Sequence, residues 1–161
     1  MITGGAGFIG SHLCDEFLQD DHEIIILTRN KSNLGNISHI LDRIIVEIID
    51  VTNFTNVGNS IEKHKPNVII HLAGETSHSK SFENPLYDVD INTKSTLFIL
   101  EKIRIMNLKC RFILGSTFIV IGRPENLPVT EETPCHPTTI YGTNRLASEH
   151  YCNIYKNVYG M

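Results

Sequence analysis

The segment TGGAGFIG at residues 3–10 constrains this chain more than any other feature. Glycines stand at Gly4, Gly7 and Gly10, with Gly5 as an extra. Gly4 permits a tight turn, Gly7 lets the backbone approach a pyrophosphate, and Gly10 lets the next helix lie close to the strand it leaves. A helix that starts there offers N–H groups with no intrahelical partner and the positive end of its dipole, both suited to phosphates. Glycines in a flexible turn would look similar in isolation. Here they open an amphipathic run at 8–19, and an apolar strand pattern, EIIILT, follows at 23–28. The spacing and context point to a bound dinucleotide, held by Gly4, Gly7, Phe8, Ile9 and Gly10.

The rest of the chain repeats that alternation. Short runs rich in Ile, Val and Leu recur at 44–49, 67–72 and 111–115, as strands buried on both faces of a parallel sheet require. Helical patterns lie between them at 54–65 and 87–106, and a last one spans 141–159. The expected fold is α/β, a Rossmann-type doubly wound parallel sheet with right-handed crossovers. Pro124, Pro128, Pro134 and Pro137 mark one long loop. Only Met1, Ile2 and Thr3 precede the first glycine, and no strand follows the last helix. The sheet is therefore expected to be truncated at both ends, with residues 1–161 a partial nucleotide-binding domain lacking a C-terminal substrate part.

Composition narrows the function. A net charge of −4 offers no basic footprint for nucleic acid. No apolar run reaches the roughly 20 residues that cross a bilayer. Cys14, Cys110, Cys135 and Cys152 form no CxxC pair, and the eight histidines show no HExxH pattern. Free thiols in a reducing cytoplasm, with no metal site, are the expectation.

Sites specific for NAD place an acidic residue at the end of the second strand, against the ribose hydroxyls. That place falls on Thr28, followed by Arg29 and Lys31. A guanidinium suits a 2′-phosphate, so NADP is slightly favoured over NAD; the alternative is an Arg29 in a solvated loop. Asp50, before Val51, either accepts a bond from the adenine amino group or caps the next turn.

Together, TGGAGFIGSHL at 3–13, DV at 50–51, HLAG at 71–74, SFENP at 81–85, Asn92, STFIVIG at 116–122 and YGTNR at 141–145 resemble the extended short-chain dehydrogenase/reductases. Within these the likeness is to the NAD-dependent epimerase/dehydratase family, which acts on nucleotide sugars. The resemblance covers nearly the whole chain. It implies a Tyr that moves a proton at the substrate oxygen, a Lys that binds the nicotinamide ribose and lowers the Tyr pKa, and a Ser or Thr on the same oxygen. These roles fall on Tyr141, on Arg145 in place of the Lys, and on Thr117, with Ser116 a neighbouring candidate. Tyr141 and Arg145, four residues apart, share one helix face. The resemblance also implies that Leu72, Ala73 and Gly74 line the cofactor and that Asn92 shapes the site backbone, unless Asn92 is a plain surface residue. Ser77, His78 and Lys80 fall where the family meets substrate, or in a solvated loop. His71 reads as a core histidine.

Three departures bear on activity. Arg145 keeps the charge but brings a bulkier planar fork. Phe118 and Ile119 stand where the family's dehydratases carry an Asp-Glu pair, which disfavours water elimination. Ile121 replaces the Tyr of VYG. The leading expectation is a nucleotide-sugar epimerase or related oxidoreductase working by transient hydride transfer to NAD(P). The alternatives are a catalytically weakened NAD(P)-binding module and a nucleotide-sugar 4,6-dehydratase. The resemblance further implies a homodimer, built from the 87–106 and 141–159 helices as a four-helix bundle.

Overall fold

Five short aliphatic strands organise the chain: β1 (Ile2–Thr3), β2 (Ile25–Thr28), β3 (Ile45–Ile48), β4 (Val68–His71) and β5 (Arg111–Leu114). The structure is a computed structural model that describes residues 1–161, apart from the side chains of Ser32 and Asn33. All pairings are parallel, in the order β3-β2-β1-β4-β5. The two-residue β1 is the centre: Ile2 pairs with Ile26 and Ile70, and Thr3 with Leu27 and His71. From β1 the chain builds outward through β2 and β3, then returns to place β4 on the other side. The strand order reverses between β1 and β4, where doubly wound sheets open a crevice at their carboxyl ends.

Alternating side chains of β2 and of Ile24 just before it enter opposite layers. Ile24 and Ile26 join Cys14, Leu18, Ile37 and Ile40 on one face. Ile25 and Leu27 join Val57, Ile61, Ile69, Ile99 and Ile103 on the other. Burial on both faces is why this segment reads as an unbroken apolar run. The first layer is covered by α1 (Phe8–Phe17) and a 3₁₀ stretch, Lys31–Ile40. The second is covered by α2 (Phe54–His64) and α5 (Ser95–Ile105).

The helical pattern at 87–106 is not one α-helix. It comprises α4 (Pro85–Val89), a π-helical turn (Asp90–Lys94) and α5. The turn widens where polar groups are buried: Asn92 is fully buried, and Ser95 Oγ donates to the Ile91 carbonyl at 2.6 Å. The stretch around Ser77–Lys80 contributes a helix, α3 (His78–Glu83), with Ser77 as its N-cap. The 3₁₀ stretch lies where the sequence shows no clear helical pattern; Leu34, Ile37 and Ile40 anchor it to the core. The last helix, α6 (Ile140–Tyr159), starts on the Thr139 cap. The proline-marked segment contains no helix or strand beyond a single bridge from Gly122 to His136. All four cysteines are free. Among the described residues no helix is long and apolar enough to cross a membrane.

Candidate active site

The crevice at the switch point encloses about 220 Å³. Gly4 and Gly7 form its floor, Thr28, Arg29, Asp50 and Val51 one side, and Leu72, Ala73 and Gly74 the other. Leu27, Ile49 and Ile91 also line it; as members of apolar runs they carry no sequence signal that separates them from core.

Gly4 has φ +71°, and a Cβ there would lie 3.0 Å from the Ala73 nitrogen. A Cβ on Gly10 would lie 2.6 Å from the Gly4 carbonyl oxygen, so α1 rests directly on the turn. Gly5 is more than an extra, because its Cβ would collide with Ile26 Cγ2 at 2.5 Å. Gly7 is the N-cap of α1 and brings no side-chain cap. The first-turn N–H groups of Phe8, Ile9 and Gly10 thus have no side-chain acceptor, while the Phe8 and Ile9 side chains are exposed. Asn36 Nδ2 donates to the Ala6 carbonyl at 3.1 Å, holding the loop from the 3₁₀ stretch.

At the outer end, Thr28 is buried and Arg29 Nη1 donates to Tyr87 Oη at 3.3 Å, spanning from β2 to α4. Asp50 caps its own turn: Oδ1 accepts from Thr52 N at 2.9 Å and Thr52 Oγ1 at 2.8 Å. It does so while lining the crevice.

At the inner end, Tyr141 and Arg145 are both buried, on the first turns of α6. The Tyr141 hydroxyl makes no hydrogen bond among the described residues. The exposed His78 ring meets the Tyr141 ring edge-on, with centroids 5.4 Å apart. Gly74 is where Arg145 and Asn92 converge: a Cβ there would lie 3.4 Å from Arg145 Nη1 and 2.6 Å from Asn92 Oδ1. Asn92 is no surface residue. Its Nδ2 donates to the Glu75 carbonyl at 3.0 Å, and its own carbonyl accepts from Ser148 Oγ at 2.6 Å. Burial pushes the Arg145 pKa down, against the pull of Tyr141, Glu149 and Asp88.

Thr117 caps the 3₁₀ turn Phe118–Ile121, accepting from Ile119 N at 3.4 Å. That turn packs on the start of α6, since a Cβ on Gly142 would meet Ile119 Cγ2 at 3.1 Å. Thr117 makes no hydrogen bond to Tyr141 among the described residues. Ser116 is engaged elsewhere, donating to the Glu149 carboxylate. Phe118 is 77% exposed, and neither it nor Ile119 offers a titratable group. Ser77 and Lys80 are tied to Glu75, Ser77 through its N–H and Lys80 through an ion pair of 3.2 Å.

His71 is a structural residue, closed into one chain of donors. Ser95 Oγ gives its proton to the Ile91 carbonyl, so it accepts from His71 Nε2 at 3.1 Å. Thr3 Oγ1 accepts from Ala73 N and lies 2.7 Å from His71 Nδ1, which must then be the acceptor. Burial, with Arg145 adding to it, pushes the imidazole pKa down to about 3. The chain links β1, β4 and α5 directly behind the crevice.

The same sequence pattern and fold recur in known proteins. The family model described as GDP-mannose 4,6 dehydratase matches residues 1–161. A putative UDP-glucose 4-epimerase of Methanocaldococcus jannaschii is 34% identical over 167 residues, spanning 100% of this chain and 52% of that protein. The UDP-Glc/GlcNAc 4-epimerase structure from Campylobacter jejuni superposes with a TM-score of 0.88 at 30% identity, over 98% of this chain and 48% of that one. A UDP-glucose 4-epimerase of Thermus thermophilus in complex with NAD gives 0.86 at 27% identity, over 99% and 51%. The chain thus spans about half the length of the relatives it matches.

Proposed function

The chain belongs to the extended short-chain dehydrogenase/reductases, the NAD-dependent epimerase/dehydratase family, and from that premise we propose that it forms the NAD(P)-binding and reacting part of a nucleotide-sugar epimerase or closely related oxidoreductase. The observation that carries this is the meeting of Arg145 and Asn92 at Gly74, a residue of the crevice wall, with Tyr141 buried one turn from Arg145 on the same helix. The residues present fit the cofactor. Uncapped N–H groups of α1 face the diphosphate position. Among the described residues Arg145 Nε and Nη1 and Asn92 Oδ1 are buried without partners, and Nη1 and Oδ1 lie beside Gly74, where a ribose would supply hydroxyls.

NAD(P), when bound, would supply an acceptor for a hydride from a sugar carbon and a donor that could return it to either face of the ketone. The chain's own residues hold and move the proton. Tyr141 Oη, free of partners among the described residues, takes the proton of the sugar hydroxyl as the hydride leaves and gives it back on return. Arg145, one turn below on the same face, supplies a permanent positive charge on that side of the helix. Thr117 would hydrogen-bond the same oxygen once substrate occupies the mouth, while Ser77 and His78 border it.

Phe118 and Ile119 favour epimerisation over dehydration, because neither can carry the proton lost or gained in eliminating water. NADP is preferred over NAD, supported by Thr28 and Arg29 at the ribose end; the Thermus thermophilus relative is a complex with NAD. Exposed Ile105 of α5 and Ile154, Val158 and Tyr159 of α6 support a homodimer through these helices.

The test is turnover of a panel of UDP-, GDP- and dTDP-sugars by the complete gene product and by Tyr141→Phe. Loss of epimerisation in the variant with cofactor binding intact is expected. Binding without any turnover in the wild type would favour a weakened module, and a 4-keto-6-deoxy product would favour a dehydratase.

A further inference from the structure

Three buried hydrogen bonds fasten α6 to the stretch running from α4 through the π-helical turn. Asp88 Oδ1 accepts from Asn144 Nδ2 at 2.7 Å. Thr93 Oγ1 donates to the Asn144 carbonyl at 3.1 Å, and Ser148 Oγ to the Asn92 carbonyl at 2.6 Å. Asp88 is 1% exposed, and its second oxygen has no partner among the described residues. Next to Asn144 in sequence stands Arg145, 4% exposed, with Nε and Nη1 also lacking partners. A buried carboxylate and a buried guanidinium are each unfavourable alone and offset one another when close.

The identity of the cation makes a buried counter-charge necessary. A buried lysine can release its proton and become neutral, but an arginine cannot, so it needs a permanent counter-charge. The groups whose charge acts on Arg145 are Tyr141, Glu149, Asp88 on α4 and Cys152, with Arg145 acting in turn on His71 of β4. Glu149 is half-buried and engaged by Ser116; His71 is neutral. Asp88 is the fully buried acid of the set.

We propose that Asp88 is the positioning residue for Arg145: seated on Asn144, its carboxylate balances the guanidinium and fixes the register of α6. Arg145 is thereby held against Gly74 and one turn below Tyr141, rather than turning outward to Glu149 and solvent. The inference rests on the reading of Tyr141 and Arg145 as the reacting pair.

The experiment is a pH titration of Tyr141 in the complete gene product, by NMR of ¹³Cζ-tyrosine with Tyr141→Phe assigning the signal. Asp88→Asn is expected to raise the titration of Tyr141 by about 1 pH unit or more, as loss of a nearby cation does. Turnover should fall at neutral pH and recover at higher pH. Asp88→Asn combined with Asn144→Asp rebuilds the carboxylate–amide bond with its partners exchanged, and should restore the wild-type titration. Unchanged or lowered titration in Asp88→Asn overturns the proposal, leaving Asp88 a merely structural group. If that single variant does not fold, the exchanged pair decides alone. Wild-type titration in the exchanged pair supports the proposal; a displaced titration, or failure to fold, overturns it. The readout needs no turnover, so failure of the epimerase reading would show separately, as full activity in Tyr141→Phe.

Discussion

Gly10→Ala tests whether the helix must touch the glycine turn. The added methyl would lie 2.6 Å from the Gly4 carbonyl oxygen, 2.6 Å from Gly5 Cα and 2.8 Å from Gly5 C. Ordinary contact begins near 3.4 Å, a shortfall of about 0.8 Å against backbone on one side. That backbone cannot yield easily, because Gly4 N–H is bonded to the Leu27 carbonyl at 2.8 Å and Gly7 N–H to the Gly4 carbonyl at 2.9 Å. Overpacking costs ~1–3 kcal/mol, here ~2–3 kcal/mol because the neighbours are backbone, and the better helix propensity of Ala returns ~1 kcal/mol. The net loss of ~1–2 kcal/mol should lower Tm by ~2–8 °C at this chain length. Displacing the start of α1 should also weaken NADPH binding, because its N–H groups leave their aim. Gly35→Ala is the control, since its Cβ would meet nothing within 4 Å. Thermal unfolding by circular dichroism and NADPH fluorescence titration measure both effects. A Gly10→Ala protein with wild-type Tm and wild-type affinity would refute the reasoning, and so would an equal loss in Gly35→Ala.

Three further outcomes are expected. Burial works against ionisation of Glu47, but bonds from Lys63, Ser60 and His64 outweigh it and hold the pKa at about 2 instead of 4.5. Its contribution to stability is therefore present above pH 4.5 and lost as pH falls towards 2; urea titrations should show Glu47→Gln with a shallower acid dependence in that window. His71, buried and neutral, is protonated below pH 6.5 only in the unfolded chain, so stability should decline from pH 6.5 towards 3. His71→Gln should flatten that decline even if it lowers stability at pH 8. Arg29→Ala should weaken NADPH binding by roughly tenfold or more, the scale of a lost charge-assisted pair, with little change for NADH. Equal losses for both cofactors would remove Arg29 from the 2′-phosphate.

The sheet was legible because both its faces are buried. Aliphatic runs such as EIIILT have no polar side to obscure them, and the strands end within two residues of the pattern. The glycine turn was legible because spacing encodes sterics: Gly4 and Gly10 stand where a Cβ would strike backbone. What escaped is what depends on distant partners. Helical periodicity continues across residues 90–94, and the widened turn is set by buried Asn92, Ser95 and Ser148, contacts that span up to 56 residues. Asp88 and Asn144 look like ordinary helix polar residues until their pairing across the same separation is seen. The 3₁₀ stretch was hidden by its Ser, Asn and Gly content, although Ile37 and Ile40 are buried.

Tyr141, with Arg145 beneath it, is the proposed carrier of the proton that accompanies hydride transfer in this crevice. The most direct test of that role mixes oxidised cofactor, the complete gene product and a UDP-hexose, and follows the near-ultraviolet absorbance of reduced nicotinamide in a single turnover. The expected result is a transient rise in the wild type that is absent in Tyr141→Phe, with cofactor affinity unchanged. An equal transient in Tyr141→Phe would contradict the claim, as would its absence from the wild type with every nucleotide sugar that binds.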